Sequence, residues 1–485
     1  MRQKKTTKPL TYGYLPVNLD ANELINVTHG SGLRYRALIL FKVILNQYRS
    51  RYSTSTPDYT EPVPLHSRYV EKILGERKAS DGIDLLVNAG LLNSTNYKFD
   101  LADPTNNYSR SFSIPAHLLH IDLFGESRYY TKIPIFDKKA ATAEKCYRKE
   151  RIKGSLEKYP EDDVMARLAD ALDDVYLDLT STEAKNIIEE RGLANEVNGF
   201  SNLMHMELVN QRDIFWFKRD KYGRLHNPWV SLNKKGHPLI RFKGYDTERC
   251  GELDIANAQP YFSSIINQEV IRRMLPEAAD LVAGIDFHTP VWQEYRNLCI
   301  GGKFYEHWID VLRGFFGEEW QDYFAQQQEL EYAAKNAKRK AAGKKPKKPK
   351  CNYSTASPRQ VAKSLFYIVI FGTQPEGCEI GECFRGRFPD VYEAFRIIKC
   401  KHCPHNPSKK NKKGKPSYTN VVWIMQRLES LVVIDTAVRS LLDKNITQLI
   451  SRHDSLMAPE SLMSEVEMEL KMAFERWELP VPTIK

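Results

Sequence analysis

Long hydrophobic runs are missing from this chain. No stretch approaches the ~20 consecutive apolar residues that span a bilayer, so membrane-spanning helices are not expected. A secretory signal is missing as well: Met1-Arg2-Gln3-Lys4-Lys5 is basic, but no apolar segment follows it. The expectation is a protein that stays in the cytoplasm, where it is made. Cysteine is sparse, and eight thiols in a long cytosolic chain read as reduced. Cys400-Lys401-His402-Cys403-Pro404-His405 offers two to four metal ligands by spacing. Structural zinc takes four closed ligands, often as two separated pairs, and a second Cys-x2-Cys pair is absent. Cys378 and Cys383, five apart and upstream, are the candidate second half. An unmetallated basic loop is the expectation, with zinc at Cys400 and Cys403 as the alternative.

What is present is ordinary core-forming content. Hydrophobic residues make up 42% of 485 positions, enough for a sizeable core in two or three domains at about 100–200 residues each. The net charge of +10 points to an anionic partner, nucleic acid being the simplest. Composition leaves a basic protein with solvated lysines as the alternative.

Along the chain, residues 1–30 read as a polar, irregular arm. Residues 34–48 carry a strong helix pattern, with Leu38, Leu40, Phe41, Val43, Ile44 and Leu45 crowding an apolar face. Helix patterns follow over 65–74 and 78–89, separated by a turn at Gly75. Two strand-like pieces, 96–101 and 108–114, are joined by a turn-rich run at 103–107. This is the order of a winged helix-turn-helix over 31–118. Its third helix would enter a major groove, and Lys98 and Arg110 on the wing would touch phosphates. A protein-contact module is the alternative use of the same fold. Residues 138–159 are basic, and 162–179 and 182–191 are helical by pattern. Two lysine-rich insertions follow, at 329–357 and 409–415, read as sequence-independent phosphate contacts or as solubilising loops.

Three distant stretches fit one active site: Asp254-Ile255-Ala256-Asn257-Ala258-Gln259-Pro260, residues 359–372, and His453-Asp454-Ser455. The first and last each end a strand-like segment with a carboxylate. The middle one places Arg359, Lys363, Tyr367 and Phe371 at four-residue steps, along one helix face. Ser357-Pro358 marks that helix start, and Leu365, Ile368 and Ile370 are expected on its buried side. Two aspartates opposite a cationic, aromatic helix suit metal-assisted nucleotidyl transfer.

These stretches resemble motifs A, B and C of family A DNA polymerases and the related single-subunit RNA polymerases. Tyr222-Gly223-Arg224-Leu225-His226 is similar to the segment ahead of motif A, and Gln426 to the glutamine that contacts the nascent duplex. The resemblance covers residues 215–460. It implies an α+β, multidomain fold: a right-hand polymerase of palm, fingers and thumb, with an antiparallel palm sheet, preceded by the winged helix-turn-helix. Thumb and connector helices would occupy 119–210, and palm and fingers 211–485, with fingers near 265–400. By resemblance, Asp254, Asp454 and the Ile255 carbonyl hold two Mg²⁺ ions. Arg359 and Lys363 grip the triphosphate, and Lys363 protonates the leaving pyrophosphate. Tyr367 lies by the sugar and Phe371 by the templating base. Arg224, Gln426 and His453 contact the primer-template. No acidic set resembles a proofreading exonuclease.

Sugar choice departs from the family pattern. A glutamate usually stands five residues after the first aspartate; here it is Gln259, and its usual tyrosine partner is Phe371. The bulk left near C2′ favours dNTPs. The expected function is template-directed DNA synthesis on a DNA primer-template, nucleoid-associated and serving a phage, plasmid or mobile element. A primase or RNA polymerase on the same palm is the first alternative, and a non-catalytic replication initiator the second.

Overall fold

The computed structural model describes residues 10–16, 31–51, 62–95, 110–115, 130–156, 164–195, 202–210, 212, 217–341, 346, 349, 351–372, 378–401 and 419–485. The chain is α+β, helical for the most part, with small antiparallel sheets. It divides into two compact units, Met1–Lys218 with His226–Cys250, and Arg219–Leu225 with Gly251–Lys485. No helix among the described residues is long and apolar enough to cross a membrane.

The first unit is built around its most apolar helix. Strand β1 (Thr11–Pro16) precedes α1 (Ser31–Arg51), in which Leu38, Leu40, Phe41, Ile44 and Leu45 are fully buried. Residues 11–16 therefore correct the reading of 1–30 as an irregular arm: they pair with β5 (Tyr130–Ile135), a partner more than a hundred residues away. Then come β2 (Val63–Pro64), α2 (Ser67–Leu74), α3 (Ala79–Asn88), β3 (Asn93–Ser94) and β4 (Ser111–Ser113). The antiparallel sheet runs in the order β2-β4-β3, with Phe112 opposite both Val63 and Ser94. Gly75 turns the chain between the helices at φ 90°, a conformation that side chains other than glycine rarely adopt. The strand expected at 96–101 and Lys98 lie outside the described residues; β3 begins earlier.

Helix α4 (Lys138–Leu156) closes this core. Its Glu144 meets the buried Lys42 of α1 at 2.9 Å, satisfying a charge set in an apolar face. Further on lie α5 (Val164–Ala171), β6 (Val175–Leu177), α6 (Thr182–Glu190) and α7 (Asn202–Asn210). The helix expected over 162–179 thus stops short: Val175-Tyr176-Leu177 pairs antiparallel with β7 (Ile240–Phe242). The same pairing draws residues 226–250 into the first unit, although they were expected with the second.

In the second unit β8 (Cys250–Asp254) leads into α8 (Ala258–Ser264). Next come α9 (Pro290–Ile300), α10 (Phe304–Phe316), α11 (Trp320–Ala341), α12 (Pro358–Phe371), α13 (Glu379–Arg387) and α14 (Pro389–Cys400). Aromatic rings join them: Phe304 of α10 lies 4.5 Å from Phe366 of α12, and Tyr295 of α9 lies 5.4 Å from Phe388, at the start of α14. The basic helix α11 is tied to the return segment by Gln321 and Gln328, which donate to the carbonyls of Ala356 (2.8 Å) and Cys351 (3.0 Å). The chain ends with α15 (Thr419–Val432), a π-helical turn (Val433–Val438), β9 (Ile450–Arg452), β10 (Ser455–Pro459) and α16 (Met463–Arg476). Their sheet has the order β8-β10-β9.

Candidate functional site

Two carboxylates are displayed by strand ends in the second unit. Asp254 is the last residue of β8 and is exposed. Asp454 sits in the two-residue turn between β9 and β10, whose register pairs Arg452 with Ser455. His453 takes up the positive φ (57°) at the first turn position, which such tight hairpins require. The Ile255 amide donates to the Asp454 carbonyl at 3.2 Å, so the two aspartates stand on directly bonded backbone. Neighbouring anions on strand ends are hard oxygen ligands, the donor set a divalent magnesium ion takes. Among the described residues no cluster of three or more His, Cys, Asp or Glu side chains has a metal-binding arrangement. Cys400 is exposed, while Cys403 and the histidines beside it lie outside the described residues.

Helix α12 starts as the sequence implies. Ser357 caps it, Gln360 completes a capping box and Pro358 occupies the first turn. Val361, Ala362, Leu365, Phe366, Val369 and Ile370 are buried, leaving Arg359, Lys363, Tyr367 and Phe371 to the other face. Ile368, expected in the core, is exposed; it follows Tyr367 around the helix and misses the buried stripe. Arg359 donates to the Asn257 side-chain oxygen (2.8 Å) and to Glu306 (3.1 Å), and lies over the Tyr305 ring at 5.3 Å. The Lys363 ammonium is 5.9 Å from the Tyr367 ring centre, and the Tyr367 and Phe371 rings meet at 5.3 Å. Burial first, and then the negative charge of Asp454, pushes the Tyr367 hydroxyl up to about 12. Burial also raises the Tyr305 hydroxyl; Tyr367 and Asp454 add to the rise, and Arg359 opposes it. The helix face and the hairpin aspartate therefore share one electrostatic environment.

The C-terminal end of α12 is held from below. Lys399 of α14 is buried and donates to the carbonyls of Val369 (2.6 Å) and Gly372 (3.1 Å). These are end groups the helix cannot satisfy itself. Burial lowers this lysine to about 7.

Glu429 was not singled out by sequence. Its carboxylate, 1% exposed, takes a forked pair of bonds from Arg224 (2.8 and 2.9 Å) and one from the Gln259 amide (3.2 Å). Burial raises Glu429 to about 7 against the pull of Arg224, and Asp454 adds to the rise. Arg224 is held above its usual value: burial lowers it, but Glu429 outweighs burial. Arg224 is presented by a tight turn. The Gly223 carbonyl accepts from Ser430 Oγ (2.6 Å), and a side chain at Gly223 would meet that oxygen at 2.7 Å. The available signal was spacing: Glu429 follows Gln426 by three residues and so shares its helix face. Gln426 itself is buried on α15.

Three further atoms here are buried without a hydrogen-bond partner: Asn257 Nδ2, Gln259 Oε1 and the Tyr305 hydroxyl. Asn257 precedes α8 in the left-handed region (φ 55°), which asparagine tolerates. Buried polar atoms are nearly always satisfied, by protein, water or a bound group, so these three have bonding capacity left over. Of the expected residues, the second unit contains Asp254, Ile255, Asp454, His453, Arg359, Lys363, Tyr367, Phe371, Gln259, Arg224 and Gln426. Arg110 belongs to the first unit.

No family model matches this sequence, and no curated protein matches it. Among solved structures the chain is similar to the POL domain of Pol1 from M. smegmatis, determined in complex with DNA primer-template and dNTP. The likeness has 12% identity and a TM-score of 0.29 over 70% of this chain and 64% of that one, so the chain spans less than two thirds of that structure's length.

Proposed function

We propose that this protein is a template-directed DNA polymerase acting on a primer-template with dNTPs. The observation that carries the proposal is the direct backbone bond between Ile255 and Asp454. It supports the reading by joining the backbone next to Asp254 to that of Asp454, whose charge bears on Tyr367 of α12. Asp254, Asp454 and the Ile255 carbonyl would hold two Mg²⁺ ions, which lower the pKa of a primer hydroxyl and stabilise the leaving pyrophosphate. The chain's own residues do the rest. Arg359 suits bidentate phosphate contact and Lys363 a point charge on the triphosphate; Lys363 is also the proton donor to the leaving group. Tyr367 and Phe371 form the wall against sugar and base. Glu429 orients Gln259 and Arg224, which face sugar and nascent duplex.

In this reading the first unit's order of helix, strand, helix, helix and two strands, with the sheet order β2-β4-β3, is a winged helix-turn-helix that recruits DNA. Replication of a phage, plasmid or mobile element is the setting such a fusion suits. A second reading, a primase or RNA polymerase, is favoured by one observation: Gln259 Oε1 is a buried acceptor with no donor, which a ribose 2′-hydroxyl would satisfy.

Extension of a labelled primer-template with Mg²⁺ tests both, comparing dNTPs with NTPs and wild type with Asp254→Asn. Templated dNTP extension lost in the variant supports the polymerase. Extension with NTPs transfers the proposal to RNA synthesis. No extension with either, on primed or unprimed template, refutes both.

A further inference from the structure

A second charged feature lies in the first unit and has no part in the nucleotide site. An open groove of about 760 Å³ runs between the end of α2, the turn after it and the start of α4. Lys72, Arg77 and Lys78 line one wall, and Lys138 and Lys139 the other; all five are exposed. Glu71 and Glu76 also line the groove. Among the described residues, no ion pair joins either of them to the five cations. Neighbouring cations behave differently: Arg68 pairs with Glu150 at 3.4 Å, and Lys42 with Glu144. Asp137, beside Lys138, spends its carboxylate on the Ala140 amide at 2.7 Å.

The walls are fixed rather than adaptable. Tyr69 of α2 packs edge-on against Tyr147 of α4 at 5.9 Å. Arg36 donates to the Leu74 carbonyl at 3.0 Å, pinning the chain at the Gly75 turn. Five cations without an ion pair among the described residues, on α2, the turn after it and α4, outnumber the two carboxylates of the groove; they repel one another, and an anionic partner relieves that repulsion. None of the lining residues is Asn or Gln, the side chains that read adenine edges, whereas lysine and arginine suit phosphate oxygens.

We propose that this groove binds the phosphodiester backbone of duplex DNA without reading its sequence. The turn between α2 and α3 and the first turn of α4 straddle a strand of phosphates. The proposal does not depend on the polymerase reading, because binding needs no nucleotide and no catalytic residue.

The test is fluorescence anisotropy of the full chain with labelled duplex between 50 and 200 mM salt. Five phosphate contacts contribute about −4.5 to the log–log slope, which is about 500-fold of weakening across that range. Lys138→Gln with Lys139→Gln is expected to flatten the slope by about 1.8, and Arg77→Gln with Lys78→Gln by the same amount. All four positions are exposed, so the fold is expected to survive, with circular dichroism as the check. Lys185→Gln with Lys234→Gln, exposed residues of the same unit outside the groove, controls for net charge and is expected to leave the slope unchanged. An equal effect of control and groove variants, or an unchanged slope in both groove variants, overturns the proposal. So does groove-dependent binding of inorganic phosphate or pyrophosphate without groove-dependent binding of duplex.

Discussion

Arg224 and Glu429, 205 residues apart, form a forked pair whose carboxylate is almost entirely buried. The geometry satisfies both carboxylate oxygens, and Gln259 adds a third bond. A buried pair adds little net stability, because desolvation offsets attraction. Losing one partner is different, since it strands a charge. Glu429→Ala is therefore expected to destabilise the chain by about 3–5 kcal/mol in urea denaturation. Methionine at both positions is expected to cost less than that single change. A single variant within 1 kcal/mol of wild type would show that Arg224 finds water instead.

If Asp454 serves nucleotidyl transfer, Asp454→Asn removes a charge without removing bulk. Incorporation is expected to fall by about three orders of magnitude or more, the scale of a metal's several kcal/mol, while duplex affinity changes less than threefold. Equal loss of binding and synthesis would assign Asp454 a structural role.

Gln259 is expected to set sugar choice through its position on Glu429. Gln259→Ala opens space and removes the orphan acceptor. The ratio of dNTP to NTP incorporation is expected to move by about 10–200-fold, the range that one contact group supplies. Its direction separates the two functional readings. A gain in NTP use means the side chain excludes a hydroxyl, and a loss means it accepts one. An unchanged ratio removes Gln259 from the sugar site.

Lys399 donates to the Val369 and Gly372 carbonyls at the end of α12, so Lys399→Met removes two hydrogen bonds there. The expected cost is about 1–3 kcal/mol. In the polymerase reading KM for the nucleotide rises, because Tyr367 and Phe371 lie on the last turns of that helix. Normal stability with an unchanged KM would count against this coupling.

His205 on α7 gives a pH test of the first unit. Its Nε2 is enclosed without a partner, and burial lowers the imidazole to about 4. The folded state then binds fewer protons than the unfolded state between pH 6.5 and 4. Stability is complete above 6.5 and is lost as pH falls through that window. Wild type is expected to lose more urea resistance than His205→Gln between pH 7 and 4.5, and parallel curves would contradict the assignment.

Much of the site was legible because its signals are local. The α12 start is written in Ser357, Pro358 and Gln360, and four-residue steps place Arg359, Lys363, Tyr367 and Phe371 on one face. Asp254 and Asp454 were singled out only as members of a set of motifs; the first ends β8 and the second lies in the turn after β9. The three helices between residues 31 and 88 followed from periodicity and the Gly75 turn, whereas the short strands at 63–64 and 93–94 did not. Element boundaries were weaker: 175–177 left a helical pattern for a strand once a distant partner existed.

What the sequence alone determined is therefore the set of local shapes and the chemical groups each displays, since helix phase, caps and tight turns depend on neighbours a few positions away. Tertiary structure decided which groups lose water together. Glu429 looks like any polar position of an amphipathic helix until the turn at Gly223 and the start of α8 close over it, bringing Arg224 and Gln259. Burial is a property of the assembled unit, and only burial turns an ordinary glutamate into one held near neutrality.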